Sequence, residues 1–145
     1  MIRTARLDDA EAIATLSGQL GYPATSEQIA GRLEAILNRE GMGTFVAEVD
    51  GIVVGWIHMF GCERIESESS AEIGGLVVAN GHRGAGVGAQ LLAAGERWAR
   101  GRGYDVVRVR SNVLREHAHR FYQREGYEPV KHQAVFLKTL AGPTL

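Results

Sequence analysis

Leu76-Val77-Val78-Ala79-Asn80-Gly81-His82-Arg83-Gly84-Ala85-Gly86-Val87-Gly88-Ala89-Gln90-Leu91-Leu92 is the stretch that decides how this chain is read. A β-rich run, Ala71–Val78, ends in a turn with glycines at 84, 86 and 88. A helical pattern then continues to about Arg100, with Leu91, Leu92, Gly95 and Trp98 on its inner face. Alternate glycines remove Cβ atoms where a backbone must come close to a ligand. The helix N-terminus behind them aims unpaired N–H groups and roughly half a positive charge at the same place. Together these features make a cradle for a pyrophosphate; the plainer alternative is a sharp turn and nothing more.

Working outward, Ile2–Ala5 reads as a first strand and Ala10–Ser17 carries helical spacing. Gly21-Tyr22-Pro23 breaks it, and Thr25-Ser26-Glu27-Gln28 opens a second helix that Gly41-Met42-Gly43 ends. Thr44–Val49 and Ile52–Phe60 form a hairpin across Asp50-Gly51. After the glycine loop and its helix come a strand at Val106–Arg110, a helix at Arg115–Glu125 capped by Gly126, and closing strands at Tyr127–Val130 and Ala134–Lys138. The order β-α-α-β-β-β-α-β-α-β-β predicts one mixed α/β domain over residues 1–145. Its central sheet is expected to have six to seven mostly antiparallel strands, flanked by about four helices.

Composition narrows the function. In 145 residues, 16 Lys+Arg against 17 Asp+Glu leave a formal charge of −1, so no basic footprint for nucleic acid exists. Cys62 is the only cysteine, which excludes an internal disulfide and a Cys-rich metal site, and no metal is expected. No apolar run approaches the ~18 residues of a spanning helix, and Asp8, Asp9 and Glu11 follow the first strand where a leader would be apolar. The chain therefore reads as cytoplasmic, with no membrane partner.

Gly84-Ala85-Gly86-Val87-Gly88-Ala89 formally fits a dinucleotide fingerprint. A dinucleotide fold, however, puts that loop after its first strand and an acid at the end of its second, whereas here the loop is mid-chain and Asp105 precedes its strand. No Gly-Lys-Ser/Thr follows, so a Walker loop is excluded. Arg83-x-x-Gly86-x-Gly88 instead resembles the acetyl-coenzyme A signature of the GCN5-related N-acetyltransferase (GNAT) superfamily. The strand from Ala71-Glu72-Ile73 to Val78, and the stretch from Ser111-Asn112 to Tyr127, resemble its flanking motifs in the same order. Asn112-Val113, Arg115, Ala118-His119-Arg120-Phe121-Tyr122 and Arg124-Glu125-Gly126-Tyr127-Glu128 look most like the aminoalkylphosphonate N-acetyltransferase group.

The resemblance implies acetyl-CoA as cosubstrate. It would be held by Arg83, Gly84, Ala85, Gly86, Val87, Gly88 and Ala89 at the pyrophosphate, and by the backbones of Leu76, Val77 and Val78 along the pantetheine arm. Asn112, His119, Phe121 and Tyr122 would lie along the same cofactor. Exposed strand amides need partners and pantetheine carries two, so the physics agrees. Gly74-Gly75 inside that strand signals a bulge or a close ligand approach.

Acyl transfer to an amine requires a base, an oxyanion donor and an acid for the leaving thiolate. The resemblance gives the acid role to Tyr122, with aromatic packing as the alternative. It gives the base role to Glu72, with a solvated or ion-paired strand carboxylate as the alternative. Tyr22, His58 and Glu72 are expected at the acceptor side. The acids Glu63, Glu66 and Glu68 could draw in a cationic amine or simply be solvated. His117 and His119 are two apart on a helix and are poor co-ligands; His82 is expected to be exposed, Trp56 and Trp98 to be core, and Cys62 not to be a nucleophile. The expected activity is transfer of an acetyl group from acetyl-CoA to a primary amine of a small molecule or peptide, by direct attack in a ternary complex. A homodimer is compatible with this reading. The alternative is a CoA-binding regulatory domain without turnover.

Overall fold

In the computed structural model, residues 1–111 and 115–142 are described, and two compact units are distinguished, Met1–Arg110 and the segment from Ser111 onward. The first contains β1 (Ile2–Thr4), α1 (Ala10–Leu20), α2 (Ser26–Leu37), β2 (Met42–Val49), β3 (Ile52–Cys62), β4 (Ser70–Val78), α3 (Val87–Gly101) and β5 (Val107–Val109). The second contains α4 (Glu116–Arg124).

Local chemistry explains most boundaries. Thr25 caps α2: its hydroxyl accepts from the Gln28 N–H, and the Gln28 side chain accepts from the Thr25 N–H in return. Asp50 and Gly51 turn the β2–β3 hairpin with φ of 51° and 78°, the doubly positive pair of a tight primed turn. Gly126 ends α4 in the left-handed region, with the Tyr127 N–H reaching back to the Tyr122 carbonyl. α2 closes at Leu37, several residues before the Gly41-Met42-Gly43 break, because β2 already begins at Met42.

The sheet runs β1-β2-β3-β4-β5. Its first three pairings are antiparallel and the last, β4 with β5, is parallel. Among the described residues five strands form, not the six to seven expected, because residues 127–142 join no ladder. The patterns at Tyr127–Val130 and Ala134–Lys138 suit a pleated backbone, but a strand exists only when a neighbouring edge takes its amides, and Pro129 offers none.

Cross-strand register sorts the sheet into two faces. Ile57, Met59, Leu76 and Ile73 lie on the face covered by α3, where an added Cβ on Gly95 would sit 2.8 Å from the Met59 sulfur and 3.0 Å from Ile57. Val46 and Trp56, paired across β2 and β3, lie on the other face and pack with Ala10, Ile13, Ile29 and Leu33 of α1 and α2.

An ion-pair knot fastens β1 to the start of α1. Arg3 donates from both terminal nitrogens to the buried Asp9 carboxylate at 2.8 and 2.9 Å, while the Arg6 N–H donates to the same group at 2.8 Å. Burial by itself would push the Asp9 carboxyl up, but these donors outweigh it and hold the group below its ordinary 3.8. A depressed carboxyl contributes stability that is present above the unfolded value and is lost as pH falls through the folded one. Arg3→Ala should therefore cost about 3 kcal/mol in urea denaturation at pH 7, because it strands a buried charge. As pH falls through the depressed titration of the folded Asp9 carboxyl, wild type and variant should converge. A loss under 1 kcal/mol at pH 7 would mean the knot is only a surface pair.

Candidate functional site

The glycine loop takes the conformation its composition suggests. Gly84 and Gly86 both sit in the left-handed region, at φ of 84° and 82°, and a Cβ on either would meet nothing within 4 Å. No packing explains these glycines, so the turn and the open space beside it do. Gly86 is the N-cap of α3, and no side chain caps that helix end. α2, by contrast, satisfies its own N-terminus through Thr25. The first N–H groups of a fifteen-residue helix are thus left without a side-chain cap beside an exposed loop, with no acid in the first turn to compete for them.

Arg83 is exposed and donates from Nε to the Val78 carbonyl at 3.4 Å, and the Asn80 N–H donates to the Gln19 side chain at 3.2 Å. Gly84, Ala85 and Gly86 are exposed, whereas the Val87 side chain is buried. Gly88 and Ala89 lie in the first turn of α3. His82, expected to be exposed, is half-buried in the 3₁₀ turn before Arg83.

Upstream, β4 loses its neighbour halfway along. β5 pairs only with Ala71, Glu72 and Ile73. Leu76, Val77 and Val78 keep β3 on one side and, among the described residues, have no strand on the other. Their outward amides form an open edge that leads to the glycine loop. These two features fit a ligand that combines a pyrophosphate with an amide-bearing arm.

The register also explains the glycine pair. His58 pairs with Gly75 and Met59 with Ile73, so Gly74 is the extra residue of a bulge. A Cβ on Gly75 would lie 2.6 Å from the Trp56 ring, and one on Gly74 would lie 2.8 Å from His58 Nδ1. The chain's own rings, packed against these two positions, require the glycines.

On the α1/α2 face of the sheet, beside that edge, register brings together a polar group that sequence reading only partly found. Thr44 lies opposite His58, Trp56 opposite Val77, and Glu72 opposite Phe60. Thr44 Oγ1, Trp56 Nε1, His58 Nε2 and Glu72 Oε1 are all buried without a hydrogen-bond partner in the protein. Unsatisfied buried polar atoms are rare, and four on one face mark a place that a polar ligand or water completes. His58 and Glu72 were expected here. Trp56 packs against the α1/α2 core as expected, with its Nε1 left unpartnered; Thr44 is an addition, and the signal that finds it is cross-strand register, which a single strand does not display.

Glu72 Oε1 lies 3.4 Å from Arg110 Nε and 3.9 Å from Arg64 Nη2, and Arg64 reaches Glu66 at 3.8 Å. Arg108 is level with Glu72 across β4 and β5 and adds a third guanidinium to the same face. Burial keeps His58 below its ordinary 6.5, so the ring is neutral at physiological pH. Phe60 stands 5.9 Å from it, ring centre to ring centre. Tyr22 is exposed beyond the end of α1.

The second unit carries the remaining expected residues. Tyr122 packs edge-on against Phe121 at 5.2 Å and Tyr127 at 5.7 Å, with Arg124 over the Phe121 ring. Burial pushes the Tyr122 hydroxyl up to about 12, so it stays a proton donor through the whole neutral range. His119 is half-buried, one turn after Arg115, whereas Arg120 donates to the exposed His117. Asn112 lies outside the described residues. Among the described residues no cluster of His, Cys, Asp and Glu could hold a metal ion, and no helix is long and apolar enough to cross a membrane.

Comparison with known proteins gives a consistent picture. Residues 8–127 match the model of the acetyltransferase (GNAT) family. An aminoalkylphosphonate N-acetyltransferase of Salmonella typhimurium is 47% identical over 57 residues, which are 39% of this chain and 37% of that protein. An uncharacterized N-acetyltransferase of Methanocaldococcus jannaschii is 33% identical over 98 residues, 64% of this chain and 42% of that one. Both matches thus span well under two thirds of the relative's length. An aminoglycoside N-acetyltransferase solved in complex with CoA superposes with a TM-score of 0.83 at 22% identity, over 96% of this chain and 99% of that one. At that identity the likeness shows the fold.

The orphaned imidazole has a thermodynamic signature. The unfolded chain binds a proton at His58 near pH 6.5 and the folded chain resists it, so stability should fall as pH drops below 6.5. His58→Gln should flatten the urea-midpoint profile between pH 6.5 and 5 relative to wild type. Parallel profiles would mean that His58 titrates as an exposed residue does.

Proposed function

We propose that this chain, which belongs to the acetyltransferase (GNAT) family, forms a single cytoplasmic domain that transfers the acetyl group of acetyl-CoA to the primary amine of a small molecule by direct attack in a ternary complex. The observation that carries the reading is the continuous run from the open edge of β4 to the uncapped N-terminus of α3, through two left-handed glycines with empty space at their Cβ positions. The pyrophosphate would rest on the N–H groups of Val87, Gly88 and Ala89 with Arg83 alongside, and the pantetheine amides would pair with the backbone from Leu76 to Val78. Acetyl-CoA, when bound, supplies an activated thioester.

The acceptor amine is assigned to the polar face of β3 and β4. Thr44, Trp56 and His58 offer it buried, unsatisfied hydrogen-bonding atoms. Arg64 and Arg110 flank the Glu72 carboxylate, Arg108 is level with it across the strands, and Glu66 pairs with Arg64; three guanidiniums against two carboxylates leave a positive balance that suits an amine carrying an anionic group. The partial likeness to an aminoalkylphosphonate N-acetyltransferase supports the same class.

Two groups can take the ammonium proton. Glu72 is the one the family resemblance favours. In this chain its Oε1 is also the meeting point of Arg64 and Arg110. His58 is neutral, buried and free at Nε2, which favours it as a second reading. An N–H of the Leu76–Val77 segment would steady the oxyanion, and the Tyr122 hydroxyl would protonate the departing thiolate. His119 and Phe121 complete the assigned cofactor contacts, and Tyr22 the rim of the acceptor side.

Calorimetric titration with acetyl-CoA tests the core of the reading. Wild type should bind at one saturable site, and Gly86→Glu, which puts a side chain and a negative charge at the left-handed N-cap of α3, should lose at least 100-fold in affinity. Binding unchanged in the variant would remove the loop from the site. A pH–rate panel over amines with and without an anionic group then separates the proton carriers. The true base is the one whose replacement, Glu72→Gln or His58→Gln, lowers kcat about 100-fold and erases the acidic limb. Tyr122→Phe should lower kcat while leaving acetyl-CoA affinity within two-fold, and equal kcat would make Tyr122 a packing residue.

A further inference from the structure

β4 carries no side chain at the two positions where β5 leaves it. β5 pairs with Ala71, Glu72 and Ile73, and the next two residues are Gly74 and Gly75. Side chains of β4 would ordinarily cover the sheet there. Rings from β3 take their place. The Trp56 indole reaches across so far that a Cβ on Gly75 would lie 2.6 Å from its Cη2 and 2.8 Å from its Cζ3. A Cβ on Gly74 would lie 2.8 Å from His58 Nδ1 and 3.3 Å from Phe60 Cε1.

Core packing alone does not call for an indole here. Trp56 does pack against the α1/α2 core, yet its Nε1 is buried without a partner, and a stranded donor is costly. A phenylalanine would serve the core without that cost. The distal edge of the indole, which a phenylalanine would not reach, is the part that lies over Gly75. Gly75 is the other half of the arrangement, since any side chain there would meet the ring.

On the assignment of the open edge to acetyl-CoA, on which this inference rests, the pantetheine arm runs from the head of α3 back along β4, past Val78 toward Leu76. From Val78 to Gly75 the strand advances ~10 Å, so the acyl end arrives level with Gly75. There β5 resumes its pairing with β4 and closes the edge ahead. An acetyl group ends at that point, whereas a larger group must continue past it, beside the edge of the indole. We propose that Trp56 is the specificity-determining residue for the acyl donor, its ring over Gly75 limiting the transferred group to about the size of acetyl. Selection of this kind works by exclusion, because a group that overfills a packed site forces its neighbours out of place.

Calorimetric titration with acetyl-CoA and with benzoyl-CoA reads this wall without any acceptor amine. Wild type should bind benzoyl-CoA about 100-fold more weakly than acetyl-CoA, and Trp56→Leu should narrow the gap to about five-fold by admitting the larger group. Equal affinities in wild type, or a gap unchanged in the variant, overturn the proposal and leave the assignment of the cofactor standing. Failure of acetyl-CoA itself to bind defeats that assignment, and the proposal with it. Trp56→Leu also removes core contacts, so a second measurement keeps the native indole. The chain has two tryptophans, and Trp98→Phe leaves Trp56 as the sole indole while keeping a ring beside Gly43. Saturation with acetyl-CoA should shift its fluorescence emission further than saturation with CoA. Identical spectra in the two complexes would put the acyl group away from Trp56 and overturn the proposal.

Discussion

A strand that loses its neighbour halfway along must find another partner for its amides, and β4 is such a strand. Over Ala71–Ile73 it is paired on both sides, while over Leu76–Val78 it is paired on one. A backbone amide shut away from water without a partner costs about 1–3 kcal/mol. The open edge is therefore tolerable only where water or a ligand reaches it. The glycine loop begins where that edge ends, and α3 rises from the loop with its first N–H groups uncapped. Amide edge, left-handed turn and helix dipole present one kind of surface, rich in donors and free of side-chain bulk, along a continuous path.

Two ion-pair groups on the same unit differ in what they leave available. Around Asp9 the contacts are short and directed: two Arg3 nitrogens and the Arg6 amide between 2.8 and 2.9 Å. That carboxylate is fully engaged, and its role is to hold β1 to α1. Around Glu72 the guanidiniums stand at 3.4 and 3.9 Å, and Oε1 accepts no hydrogen bond although it is buried. Charge is compensated there, but directional bonding is left open. Closed knots stabilise and open ones can be completed by something else.

What the sequence disclosed follows from how far each signal travels. The helix start at Thr25-Ser26-Glu27-Gln28, the Asp50-Gly51 hairpin and the turn before α3 depend on residues within a few positions of one another, and all three form where the sequence places them. The polar face was read by halves. His58 and Glu72 stand out because their residue types carry chemistry, but Thr44 and Trp56 join them only through pairing across three strands and a bulge. Arg110 reaches Glu72 from 38 positions away, and no local pattern announces such a meeting. The closing strands failed for a related reason. Their pattern was visible, yet whether a strand forms is decided by the edge it meets, and that information is not in the segment itself.

The bulge at Gly74 changes the phase of β4. Side chains alternate along a strand, so without the extra residue Glu72 and Gly75 would point to opposite faces; with it, both look toward α1 and α2, while Ile73 and Leu76 both look toward α3. The two ends of one strand are thereby set independently, the first half for a carboxylate and the second for rings and an open backbone. Such an arrangement is fragile in an unusual direction. Exchanging one amino acid for another in β4 perturbs a single contact, whereas the loss of one codon there would turn half the strand inside out.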